Sequence, residues 1–237
     1  MTEHGDGSPL SRRGFLGTAA TVAVAGTAAA EDALAATSAR PSTPDAALRA
    51  LRAGNDRYRR GRWLRRDYSP VGERRASAQA PFAAILTCAD SRIAPSLVFD
   101  VERGNLFGAH VAGNSVDSGS LGSLEYAVAV LEVPLIVVLG HTDCGAVKAA
   151  ISVADGKATY PPEQYGAIGE VVGRIVPAVQ ALPVAGRTLA ASIAANAAAQ
   201  AKDLESRDPI IAPAVKAGRL RVVAAVYDIR TGRVGFS

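Results

Sequence analysis

The sequence predicts an α/β fold: a central, mostly parallel sheet of about four strands plus a C-terminal edge strand, flanked by helices. Three observations carry that expectation. Residues 134–140, Pro-Leu-Ile-Val-Val-Leu-Gly, are apolar on both faces, as a strand buried inside a parallel sheet must be. Shorter apolar runs at 81–87, 106–111 and 220–227 alternate with stretches of helical spacing, which points to parallel pairing through crossover helices. The chain has 237 residues, 49% of them hydrophobic and only 5% aromatic, enough for one helix-covered core.

The first 35 residues are expected to be a targeting segment. Ser11-Arg12-Arg13-Gly14-Phe15-Leu16 resembles a twin-arginine export signal. An Ala-rich run from Phe15 to Ala30 follows, with small residues at Ala28-Ala29-Ala30 and Ala33-Leu34-Ala35 as cleavage points. That run has no Ile and one Leu, too weakly apolar for a good membrane anchor, and no other stretch is long and apolar enough to span a bilayer. The protein is therefore expected to be exported, to the cell envelope or the medium, with no membrane span in its mature form. Residues 36–43 read as a linker, and 44–237 as the domain. Arg12 and Arg13 are outnumbered by Glu3, Asp6, Glu31 and Asp32, so the mature chain is more basic than the +4 of the whole.

Thr43-Pro44-Asp45 starts a helix, with Thr43 as N-cap and Pro44 in the first turn. Leu48, Leu51, Asn55 and Tyr58 follow at helical spacing and make one face half apolar. Eight arginines lie between Arg57 and Arg75. No nucleic-acid module surrounds them, so they read as a solvated or partner-contacting helix end, and no nucleic-acid partner is expected. Residues 118–130 form a helix with Leu121, Leu124, Ala127, Val128 and Leu131 on one side, and 145–153 form another. Helical pattern dominates 166–218, broken near Pro183 and Pro209. After the strand at 220–227 the chain turns through Asp228 to Arg233, and 234–236 pair back as a hairpin edge.

Two segments carry the chemistry. Cys88-Ala89-Asp90-Ser91-Arg92 follows the first strand, and His141-Thr142-Asp143-Cys144 follows the strand at 134–140. In open α/β sheets ligands bind beyond the carboxyl ends of the strands, and both segments sit there. Two thiolates and an imidazole are one ligand short of a closed zinc shell, which is how a catalytic zinc is held. Cys88 and Cys144 are the only cysteines in the chain. Export to an oxidising compartment makes a Cys88–Cys144 disulfide the competing reading. The twin-arginine route carries proteins already folded, which suits loading a metal onto reduced thiols before export. Ser91 and Asp143 read as turn residues.

These residues together resemble a β-class carbonic anhydrase. The likeness covers about residues 44–237 and rests on Cys88-x-Asp90-Ser91-Arg92 and Gly140-His141-x-x-Cys144-Gly145-Ala146-Val147. Ser123-Leu124-Glu125-Tyr126-Ala127-Val128, Tyr227-Asp228-x-x-Thr231-Gly232 and Gly54-Asn55-x-Arg57-Tyr58 are similar to further family segments. The resemblance implies one zinc ion per subunit on Cys88, His141 and Cys144, and reversible hydration of carbon dioxide to bicarbonate and a proton. In the open state the fourth ligand is water or hydroxide; in a closed state it is Asp90. Arg92 pairs with Asp90 and holds it off the metal, making Asp90 and Arg92 the catalytic dyad. It also implies a homodimer or homotetramer, with N-terminal helices lying on a partner subunit and the pocket completed from both chains. Gln79, Phe107 and Tyr126 match substrate-pocket positions of the constitutively open branch, and Gly145 lies at the same pocket. Ile85 and His110 stand where the bicarbonate-regulated branch has Trp and Arg, so the open type is expected. His110 reads as a satisfied, partly buried histidine rather than a proton shuttle.

Two thiolates neutralise a zinc ion, so water there is less acidic than on three imidazoles, and activity is expected to rise toward alkaline pH. Three rivals stand beside this reading. Cys88 as a phosphatase-type nucleophile fails on spacing, because such loops separate Cys and Arg by five residues, and this chain has Ala94 at that place and only three residues between Cys88 and Arg92. Hydrolysis of carbon disulfide or carbonyl sulfide keeps fold and metal and changes the substrate. A non-catalytic exported protein with a structural zinc or a disulfide leaves Asp90 and Arg92 without a role.

Overall fold

A computed structural model describes residues 40–64 and 79–237. The export signal expected over 1–35, the linker before Arg40 and the arginines from Arg65 to Arg75 lie outside the described residues.

The described chain forms a five-stranded sheet in the order β2-β1-β3-β4-β5. The strands are β1 (Ala83–Thr87), β2 (Leu106–His110), β3 (Leu135–His141), β4 (Arg221–Tyr227) and β5 (Val234–Phe236). The first four are mutually parallel, and β5 returns antiparallel on β4 with Val226 opposite Gly235. Both expectations, the parallel sheet and the hairpin edge, match. β1 and β3 are central and buried along their whole length, which is why their sequences are apolar up to the polar residues that end them, Thr87 and His141.

Two cores lie on the two faces. Ala83, Ile85, Leu135, Val137 and Leu139 face helices α1 (Pro44–Arg59), α4 (Gly145–Ala154) and α6 (Ile168–Gln180). Ala84, Leu86, Ile136, Val138 and Val222 face α3 (Ser118–Ala129), α7 (Leu189–Glu205) and α8 (Ile211–Lys216). Two one-turn helices, α2 (Pro95–Val98) and α5 (Pro162–Tyr165), were too short to leave a periodic signal. The helical stretch after 166 breaks where Pro183 and Pro209 stand, between α6 and α7 and between α7 and α8.

Helix α1 starts as its cap residues dictate: the Thr43 hydroxyl accepts from the Ala46 amide at 3.3 Å and Pro44 opens the first turn. Its inner face is Ala47, Leu51, Gly54 and Asn55. Gly54 lies so close to the chain at Phe99 that a Cβ would collide with the Phe99 carbonyl. Asn55 is buried and fully used: it donates to the carbonyls of Val98 (3.0 Å) and Gly232 (2.8 Å) and accepts from the Val234 amide (2.9 Å). Arg57 pairs with the buried Asp100 carboxylate, and the Tyr58 and Tyr227 hydroxyls meet at 3.1 Å. Within one chain α1 is thus fastened to the β1–β2 connection and to the C-terminal hairpin. At the opposite end of the sheet, Arg40 donates to the carbonyls of Pro81 and Leu131, both at 2.7 Å.

Candidate metal centre

The topology makes the site. From β1 the chain crosses to β2 on one side and then to β3 on the other, so β1 and β3 flank the switch point where a crevice opens beyond the strand ends. Thr87 pairs with Leu139 and donates to its carbonyl at 3.2 Å, which locks the two ends together. Cys88 therefore leaves β1 beside the residues that lead to His141. The turn after β3 is tied down by Thr142, whose amide donates to the Tyr227 carbonyl (2.9 Å) and whose hydroxyl accepts from the Ile229 amide (3.1 Å). Asp143 takes a left-handed conformation, φ 61°, and delivers Cys144 to the N-cap of α4. Its expected turn role matches.

The donor atoms of Cys88, His141 and Cys144 all lie within 4.8 Å of one another, and all three residues are buried. Both cysteines are unbridged. The His141 ring fits a metal ligand. Its Nδ1 donates to the Thr142 carbonyl at 2.9 Å, which leaves the lone pair on Nε2, and Nε2 is buried with no hydrogen-bond partner. A buried nitrogen of that kind is costly unless something takes its lone pair. Two sulfurs and one imidazole are the donor set that suits zinc.

The sulfurs are not equivalent. The Cys88 thiol is pushed well below its ordinary value, first by a hydrogen bond from the Cys144 thiol, against the effect of burial, with His141 and the Gly113 amide adding to it. The same contact and burial push Cys144 up, while the Val147 and Ala146 amides in the first turn of α4 favour its thiolate. Beside the sulfurs, Arg92 grips Asp90 with two side-chain bonds of 2.9 and 2.7 Å, and its own amide adds a third at 2.9 Å. These bonds hold the Asp90 carboxyl well below the usual carboxylate range. Asp90 Oδ2 sits 4.0 Å from the unpartnered His141 Nε2, within reach of whatever occupies the donor set.

The remaining singled-out residues are elsewhere in the same chain. Phe107 lies opposite Ala84 on the edge strand β2, and Phe107 and Tyr126 stack with centroids 6.2 Å apart; Tyr126 is exposed. The Phe82 amide bonds to Asn105, which extends the β1–β2 ladder backward. From there to Cys88 is about 20 Å of extended chain, and Gln79, three residues before Phe82, is exposed. Gly145 opens α4 with free space where a Cβ would stand. His110 is a correction: it ends the edge strand beside Thr87 and is exposed, not partly buried, because among the described residues β2 is the edge of the sheet. Sequence reasoning also missed the Gly113 amide, which donates to Cys88 Sγ at 3.2 Å. Backbone donors carry no residue signature beyond the glycine itself.

The family model described as carbonic anhydrase matches residues 83–234. A carbonic anhydrase of Mycolicibacterium smegmatis is 40% identical over 197 residues, covering 81% of this chain and 93% of the relative. Carbonic anhydrase 2 of Mycobacterium tuberculosis is 40% identical over 202 residues, with the same coverage of 81% and 93%. Among solved structures, the β-carbonic anhydrase CcaA is 26% identical with a TM-score of 0.59, covering 69% of this chain and 82% of its own. A structure from a study of two tetrameric β-carbonic anhydrases of Sordaria macrospora is 26% identical with a TM-score of 0.58, covering 68% and 82%.

Proposed function

Because the chain belongs to the carbonic anhydrase family, we propose that it hydrates carbon dioxide reversibly to bicarbonate and a proton at the Cys88–His141–Cys144 centre. The observation that carries this reading is the buried, unpartnered His141 Nε2 facing two sulfurs, with an Arg92-clamped carboxylate beside it. One zinc ion per chain would be held by Cys88, His141 and Cys144 and would supply the Lewis acidity that makes water nucleophilic near neutral pH. Asp90 accepts the hydrogen bond of the attacking oxygen and turns its lone pair toward carbon dioxide. Arg92 keeps Asp90 ionised and aimed through charge-assisted bonds. Gly145, with no side chain, leaves room at the mouth.

Gln79, Phe107 and Tyr126 are proposed to line the pocket of a neighbouring subunit, with Gln79 donating to a bicarbonate oxygen. Among the described residues Phe107 lies on the edge strand β2 and Tyr126 is exposed, which supports a homodimer or homotetramer; the Sordaria study describes tetramers. Export rests on Ser11-Arg12-Arg13-Gly14-Phe15-Leu16. Changing Arg12 and Arg13 to Lys is expected to hold the protein in the cytoplasm, and unchanged fractionation of that variant sinks the export reading.

Stopped-flow hydration by the zinc-loaded chain from about pH 6.5 to 9 tests the function. A smooth rise with pH is expected. Activity that appears only above about pH 8, and then steeply, overturns the open-type assignment in favour of closure by Asp90. No turnover with zinc present overturns carbon dioxide as substrate, and parallel assays with carbonyl sulfide and carbon disulfide then identify the replacement. The same sample in light scattering reports assembly, and full turnover by a monomer rules out the shared pocket.

A further inference from the structure

Helix α7 carries an unusual buried line. Ser192, Asn196 and Gln200 recur every fourth residue on its inner face, at 0%, 0% and 8% exposure, in a helix otherwise rich in alanine. Two of the three reach the 112–116 segment that wraps Cys88. Asn196 Nδ2 donates to the Gly113 carbonyl at 2.9 Å. Gln200 Oε1 accepts from the Val116 amide at 2.8 Å, and Gln200 Nε2 donates to the Arg174 carbonyl at 3.3 Å and to Asn196 Oδ1 at 3.4 Å. Gln200 thereby orients the Asn196 amide. Ser192 makes no hydrogen bond through its hydroxyl.

Gly113 is the residue these contacts control. Its φ is 69°, and a Cβ there would overlap Ile175 Cδ1 and crowd Ala146. Only glycine fits, and glycine leaves the two flanking peptide planes soft. Its amide points at Cys88 Sγ and its carbonyl at Asn196. An N–H bond to a thiolate stabilises its charge and fixes the sulfur's orientation, as outer partners of metal ligands do.

We propose that Asn196, oriented by Gln200, is a positioning residue for the metal centre: it clamps the Gly113 carbonyl so that the Gly113 amide stays on the Cys88 sulfur. This rests on the metal-centre reading above. It explains why a helix that needs only small apolar residues to pack on β3 and β4 buries two amide side chains at this height. The polar line points to the loop around Cys88, and the member that does not reach the loop has no partner.

The test compares Asn196→Ala, Gln200→Met, Ser192→Ala and Ile193→Val in the full chain. Zinc affinity is read by chelator competition, and the cobalt-substituted protein by its thiolate-to-metal charge-transfer band. Asn196→Ala is expected to weaken zinc binding about 10-fold, within the range for outer-shell partners of metal ligands. It should also move the band to lower energy, since a sulfur that loses an N–H bond is the better donor. Gln200→Met keeps most of the volume and should give a smaller change in the same direction, and it carries the test if Asn196→Ala does not fold. Ser192→Ala and Ile193→Val alter the same helix face without touching Gly113 and should leave both readouts at wild type. Wild-type affinity and an unshifted band in the Asn196 and Gln200 variants, with only a lowered melting temperature, overturn the proposal. So does an equal loss of zinc in Ile193→Val, which makes the effect one of stability. A wild-type chain that takes no zinc overturns the metal-centre reading itself, and this proposal with it.

Discussion

Replacing Cys144 with serine should cost the chain its metal and much of its stability together. The sulfur is buried, 1% exposed, among donor atoms all within 4.8 Å. A serine hydroxyl does not ionise near neutral pH, so one thiolate and one imidazole would remain where three ligands stood. Zinc affinity should fall by more than about 100-fold, beyond the range seen for outer-shell partners. Because metal binding is linked to folding, the melting temperature in zinc should fall to that of the metal-free protein. Position 144 is also the N-cap of α4, and its present side chain makes no cap bond. Serine is a better N-cap than cysteine, so the substitution should help the helix locally. Any loss of stability then reports the metal and not the helix. Zinc content by elemental analysis and thermal melts with and without zinc check this; a full zinc complement in the variant removes Cys144 from the donor set.

Asp90→Asn should leave zinc in place and remove most turnover. The carboxylate is not among the three clustered donors, but it sits 4.0 Å from His141 Nε2 and takes three bonds from Arg92. An amide has one acceptor oxygen and no charge, so it breaks the two-pronged grip and presents a donor where an acceptor is required. A fall in kcat of about 10²–10⁴-fold is the scale for losing a positioned proton-handling group. The pH behaviour follows from the direction of the Asp90 shift. A depressed folded-state pKa means that the pairing is present above the ordinary carboxylate range and is lost only as pH falls through the lowered value. Asp90 therefore stays ionised from mildly acid to alkaline pH. The variant's rate profile should keep the wild-type shape at a lower plateau, and wild-type kcat in Asp90→Asn rejects the dyad.

Helix α1 shows what local sequence can and cannot tell. Thr43 and Pro44 announce the start of the helix, and the cap bond is there. Asn55 and Tyr58 fit the helical spacing, but the motif Gly54-Asn55-x-Arg57-Tyr58 stands out only as a resemblance, because the reasons for its residue types are distant in sequence. Gly54 is small for the sake of Phe99, Asn55 serves Val98, Gly232 and Val234, and Tyr58 meets Tyr227. His110 erred for a related reason. A histidine in an apolar run reads as covered, but β2 is the sheet edge, and strand order is decided by pairings that no single strand encodes. Asn196 and Gln200 had a legible signal in their four-residue spacing, yet spacing does not name what a buried amide bonds.

By itself the sequence determined the class of fold and singled out the three residues that cluster, Cys88, His141 and Cys144. Apolar runs that need no polar face require burial on both sides, and two cysteines and a histidine on strand-ending turns have few other uses. Tertiary structure alone decided which strands are neighbours, that the three donors converge within 4.8 Å, and that Phe107 lies on the edge strand opposite Ala84. Periodicity is a local property, set by the backbone repeat of each segment, whereas convergence depends on register between segments that are about fifty residues apart and meet only when the sheet closes.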